Sequence, residues 1–134
     1  MRKAASVLDR LLAADAGDHG GRLVRPLSSG LCDVDGRGVS RNVTDGILRL
    51  RPGRPESDVD GVVAAEVQLD PTAYRFRRGH RLRLQVAGGA FPRFARNHGT
   101  DEPVFSAVGG KPARSEIFHD PAWPSRITLP VFDG

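Results

Sequence analysis

The stretch Val62-Val-Ala-Ala-Glu-Val-Gln-Leu-Asp-Pro-Thr-Ala-Tyr-Arg-Phe-Arg-Arg-Gly-His-Arg-Leu-Arg-Leu-Gln-Val-Ala87 decides the fold. At its start Val63, Ala65, Val67 and Leu69 face one way, and Glu66 and Gln68 the other. At its end Leu82, Leu84 and Val86 alternate with Arg81, Arg83 and Gln85. A period of two predicts strands with one buried and one wet face. The connection from Pro71 to Gly79 holds Tyr74 and Phe76 and carries no helix-length pattern, which argues against a parallel βαβ sheet. Gly79 is suited to a positive-φ corner before the second strand.

Upstream, Leu31 to Val34 reads as a short strand, and Asp35-Gly36 as a turn. Val39 to Leu50 reads as extended, with a bulge or corner at Asp45-Gly46. Arg22 to Leu27 is a weak strand broken by Ser28-Ser29-Gly30, and Pro52 to Asp58 is a turn-rich loop. Downstream, residues 88 to 114 read mostly as loop, Ser115 to Phe118 as a short strand, and Ile127, Leu129 and Val131 as the inward face of a last strand. Pro130 puts that strand at an edge or an end. The N-terminus differs. Ala4, Val7, Leu8, Leu11 and Leu12 form an apolar stripe that predicts a helix over residues 2 to 16, with Gly17 as its stop and a Gly-rich loop after it. The expected architecture is mainly β: an antiparallel sandwich with one N-terminal helix.

Composition sets the bounds. A chain of 134 residues predicts one domain with a core of its own. Sixteen glycines and ten prolines fit many turns and short elements. A net charge of +4, supplied almost wholly by arginine, permits attraction to polyanions and says nothing of fold. The single cysteine, Cys32, excludes an internal disulfide and a Cys-based zinc site, and is read as a buried structural thiol. Asp9 and Arg10 interrupt any signal-peptide core, and no apolar run approaches the ~20 residues of a membrane-spanning helix. The expected location is the cytoplasm.

Four blocks, in order, carry a family resemblance. They are Leu31-Cys-Asp-Val-Asp-Gly-Arg37; Asn42-Val-Thr-Asp-Gly-Ile-Leu-Arg49; Leu69-Asp-Pro-Thr-Ala-Tyr74 with Phe76 and Gly79-His-Arg-Leu-Arg83; and Phe91-Pro-Arg-Phe94 with Arg96-Asn97, followed by His119-Asp-Pro121 and Pro124-Ser125. Over roughly residues 30 to 132 the chain resembles the C-terminal β domain of the X-Pro dipeptidyl-peptidase and cocaine esterase family of serine hydrolases. The resemblance implies a jelly-roll-like, galactose-binding-like sandwich over residues 30–134. Residues 1–29 are unmatched. In the family the region before the Leu-x-Asp-Val strand supplies the first strands, so here the sandwich is expected to be incomplete, with an edge left open.

The resemblance also implies a division of labour. The family's Ser-Asp-His triad belongs to an α/β-hydrolase domain, and these 134 residues contain no Gly-x-Ser-x-Gly nucleophile elbow. The chain is therefore expected to be a non-catalytic C-terminal domain, stand-alone or truncated, inactive alone and without cofactor. It would pack on an α/β-hydrolase catalytic domain, its partner, and help wall the cleft. The expected docking surface is Phe91, Arg93, Phe94, Arg96, Asn97 and Thr100, with Phe91 and Phe94 as apolar anchors.

His119-Asp120, with Ser115 nearby, lacks a glycine elbow and reads as a turn histidine bonded to backbone. Asp33-Val-Asp35-Gly36 has only part of a calcium-loop pattern and reads as a hairpin turn, and the four histidines lack metal-ligand spacing. Residues 71 to 100 hold Arg75, Arg77, Arg78, Arg81, Arg83, Arg93 and Arg96 and no acid, with Tyr74, Phe76, Phe91 and Phe94 between them. That profile suits a single-stranded nucleic-acid surface, or a face that meets acidic residues of another domain. A carbohydrate-binding module using Tyr74 or Trp123 is the remaining alternative.

Overall fold

The structure is a computed structural model that describes residues 6–12, 25–50, 62–96, 98–100, 102–103, 105–112 and 115–131. Seven strands lie in these residues: β1 (Ser6–Leu12), β2 (Arg25–Val34), β3 (Ser40–Leu50), β4 (Val62–Gln68), β5 (Arg81–Ala87), β6 (Glu116–Phe118) and β7 (Arg126–Thr128). All pairings are antiparallel. One sheet has β1 between β4 and the pair β6 and β7; the other has the order β3-β2-β5. Leu27 and Leu31 of β2 meet Ala65, Val67 and Leu69 of the opposite sheet, with Leu48, Leu84, Val86, Ile117 and Ile127 packed around them. The core is therefore the layer between two sheets, each closed over by its inward period-two positions. No helix among the described residues is long and apolar enough to cross a membrane.

The expected N-terminal helix is a strand where the structure describes it. Residues of β1 pair with β4 from Ser6↔Gln68 to Leu12↔Val62. Its other edge pairs with β6 at Arg10–Leu12 and with β7 at Ser6–Leu8. A short isolated helix is marginal in water. A strand placed between two open edges satisfies the backbone groups of all three elements. Tertiary pairing therefore overrides the helical stripe, and the strand that the sequence reading leaves missing comes from the chain's own N-terminus. The remainder of the expected helix, and Gly17, lie outside the described residues.

Ser28-Ser29-Gly30 does not break β2, which runs unbroken from Arg25 to Val34. Ser28 and Ser29 are buried, and Ser28 Oγ donates to Ala87 O at 3.2 Å across the ladder to β5. The bulge falls at Val43, because Leu31 pairs with Thr44 and Cys32 with Asn42. Gly46 marks a close approach instead: a Cβ there would stand 2.0 Å from Gln68 O. Beside it Thr44 Oγ1 donates to Asp70 O at 2.6 Å, and Asp70 N to Asp45 O at 3.0 Å. This is where the two sheets are stitched edge to edge.

β6 and β7 are two halves of one edge strand. Phe118 pairs with Arg10 and Arg126 with Leu8, so residues 119–125 stand opposite Asp9 alone. That excursion is folded on itself: Asp120 Oδ1 accepts from Ala122 N at 2.8 Å and Trp123 N at 3.0 Å, and Ser125 Oγ donates to Phe118 O at 2.5 Å. Val131, expected inward, is 83% exposed, because β7 ends at Thr128. On β5, Leu82 is likewise exposed while Leu84 and Val86 pack on the core.

Candidate functional site

The best-organised polar cluster lies where β2 ends and β5 begins. Asp33 is carried by β2 and is only 5% exposed. The loop before β5 brings Tyr74 and His80 to it. Gly79, at φ 86°, makes the expected corner, and His80 N donates to Arg77 O at 3.1 Å to close the turn. Tyr74 Oη donates to Asp33 Oδ2 at 2.7 Å, and His80 Nδ1 lies 2.9 Å from both carboxylate oxygens. An ionised carboxylate only accepts, so Nδ1 carries the proton. The Tyr74 hydroxyl is the main cause holding the Asp33 carboxyl below its ordinary value. His80 and Arg41 act in the same direction, and desolvation by burial opposes them. Reciprocally, the hydrogen bond to Asp33 raises Tyr74 above its ordinary value, with burial and the charge on Asp33 adding to it.

An aspartate that orients a histidine is two-thirds of a triad. Among the described residues no serine, threonine or cysteine hydrogen bonds to His80, and the side chain that shares Asp33 is a tyrosine. The cluster's chemistry is that of a lock: it fastens the β4–β5 connection to the central strand of its sheet. Tyr74 also meets Phe76 edge-on at 5.0 Å between ring centroids, and Phe76 packs against the core. Phe76 is half-buried, whereas Tyr74, though tied at its hydroxyl to Asp33, keeps 47% of its surface exposed. Trp123 is half-buried.

The expected docking residues are spread around the loop after β5. Phe91 is 63% exposed, with the Arg96 guanidinium 4.4 Å from its ring centroid. Phe94 is half-buried; its N–H donates to Ala90 O at 2.9 Å. Arg93 lies 5.4 Å from the Phe94 ring centroid and turns back onto the fold. Its Nε is 2.5 Å from Asp45 Oδ2 and its Nη2 2.6 Å from Asp70 Oδ2, so one guanidinium spans the seam between the sheets. Thr100 is half-buried, and its Oγ1 has no hydrogen-bond partner among the described residues. Asn97 lies outside the described residues.

The segment continues into a tied-off loop that the sequence reading passed over. Lys111 N donates to His98 O at 2.8 Å, which closes its base. Phe105 and Val108 stand out from it, 93% and 98% exposed. A Gly- and Pro-rich stretch without periodicity gives no signal for an apolar tip. Arg75, Arg77, Arg78, Arg81 and Arg83 are all exposed, and none forms an ion pair among the described residues.

The alternative sites resolve locally. Asp35 builds the β2–β3 turn: its Oδ1 accepts from Arg37 N at 2.9 Å and Val39 N at 3.0 Å, with Gly38 at φ 86°. Among the described residues no cluster of three or more His, Cys, Asp or Glu side chains could hold a metal ion. Cys32 is buried, with its Sγ 4.0 Å from Asn42 Oδ1. His119 is exposed, and it is Asp120 rather than His119 that bonds the backbone of the turn.

The family model of the X-Pro dipeptidyl-peptidase C-terminal non-catalytic domain covers residues 25–128. A search of the curated proteins finds no match to the chain.

Proposed function

From the premise that this chain belongs to the X-Pro dipeptidyl-peptidase C-terminal non-catalytic domain family, we propose that it is the accessory β domain of an α/β-hydrolase of the X-Pro dipeptidyl-peptidase or cocaine-esterase type. It packs on the catalytic domain and shapes its cleft, and it supplies no catalytic atom to the serine peptidase or esterase reaction. The family match carries this reading. The docking surface is the loop from Phe91 to Thr100, with Phe91 under Arg96 as its exposed apolar anchor. Arg93 ties that loop to the fold through Asp45 and Asp70, and Phe94 lies beside its guanidinium. Five exposed arginines on the adjoining connection and β5 favour a partner surface rich in carboxylates.

The test uses a purified X-Pro dipeptidyl-peptidase catalytic domain, expressed without its own C-terminal domain, as the probe for titration with this chain. Saturable binding that weakens at least tenfold in Phe91→Ala/Arg96→Ala supports the reading. No binding, or binding indifferent to that double variant, sinks the docking surface. Arg93→Ala is the less clean probe, since it also opens the seam between the sheets.

A further inference from the structure

The family match begins at residue 25, yet the strand at the centre of one sheet lies before it. Between β4 and the β6–β7 edge there is a slot one strand wide. It is lined by the backbone of Val62–Gln68 on one side, and by Glu116–Phe118 and Arg126–Thr128 on the other. Residues 25–128 thus encode both walls of the slot, and the seven residues of β1 fill it. Strand addition of this kind is held by main-chain hydrogen bonds, which any strand of suitable side chains can make.

Nothing in the topology requires β1 to come from the same copy. It joins β2 through residues 13–24, which include Gly17, Gly20 and Gly21 and no proline. We infer that the slot between β4 and β6–β7 is a strand-binding site, filled within one copy by its own β1 and able to take the β1 of a second copy of this chain. A tethered strand competes at an effective concentration in the mM range, so at micromolar protein the closed monomer prevails. The exchanged dimer takes over when the tether cannot reach. β1 and β2 belong to different sheets, and packed sheets lie about 10 Å apart. A two-residue connection spans three Cα–Cα steps, at most about 11 Å fully extended, which leaves no chain to turn between one sheet and the other.

Two variants of the full chain test this. Leu8→Pro removes a backbone donor in the middle of β1, where Leu8 pairs with both Glu66 and Arg126. That variant should lose its far-UV strand signal and its cooperative urea transition. It should regain both when a synthetic peptide of residues 1–17 is added, and not with the same peptide carrying Leu8→Pro. The second variant deletes residues 14–23 and keeps β1 intact; it should sediment as a dimer with wild-type circular dichroism. Full stability of Leu8→Pro without peptide, failure of the wild-type peptide to restore it, or a shortened chain that does not form the dimer would each overturn the inference.

Discussion

Asp33, Tyr74 and His80 are 41 and 47 residues apart in sequence, and one carboxylate joins them. Asp33 has a lowered folded pKa, so its share of the stability is complete above 3.8 and is lost as pH falls toward the lower folded value. Tyr74 has a raised folded pKa, so its share is complete below 10.0 and is lost as pH rises through the higher folded value. Both trends report the same hydrogen bond. Tyr74→Phe should therefore lower the urea midpoint at neutral pH, and its gap from wild type should shrink at both pH extremes. A gap of constant size across the whole range would show that Asp33 and Tyr74 do not titrate as partners. Every member of this lock falls in a block on which the family resemblance rests, so the residues were legible in the sequence. Their conjunction was not: strand alternation fixes which face a residue takes, and it says nothing of which loop closes over it.

At the scale of elements, the two period-two strands, the Asp35 turn and the Gly79 corner follow from sequence because their causes are local. Side-chain alternation and turn chemistry need no distant partner. β1 was illegible for the opposite reason. Its apolar spacing suits a helix face, and only the two open edges it meets make it a strand. The β6–β7 strand is divided by a turn whose instructions are again local, in Asp120, Pro121 and Pro124. Asp120→Ala removes an acceptor that holds two backbone N–H groups, a loss comparable to that of a helix cap, about 1 kcal/mol. The expected outcome is a destabilisation of that size with a red shift of Trp123 emission, while Asp120→Asn stays near wild type. An unshifted emission maximum in Asp120→Ala would mean that the excursion is held by other contacts.

For the molecule as a whole, cooperativity depends on the seam where Gly46, Thr44 and Asp70 join the sheets and Arg93 clamps Asp45 to Asp70. Gly46→Ala forces a methyl group onto the backbone of Gln68, where no side-chain rotation relieves it. The expected cost is at least about 3 kcal/mol, the upper end of overpacking, read from urea unfolding followed by Trp123 fluorescence and circular dichroism together. In wild type the two signals should coincide, because Trp123 lies in the excursion between the two halves of one sheet's edge strand and the core needs both sheets. A shift below about 1 kcal/mol would show that the sheets part at this point without penalty. The pairing of Ser6 with Thr128 sets one further condition, on how the molecule is made. β1 leaves the ribosome long before β7 and waits for Thr128 before its far edge is satisfied. Such non-local closure is slow, and until then the nascent chain carries an apolar strand and an unfilled slot past its neighbours on the same message.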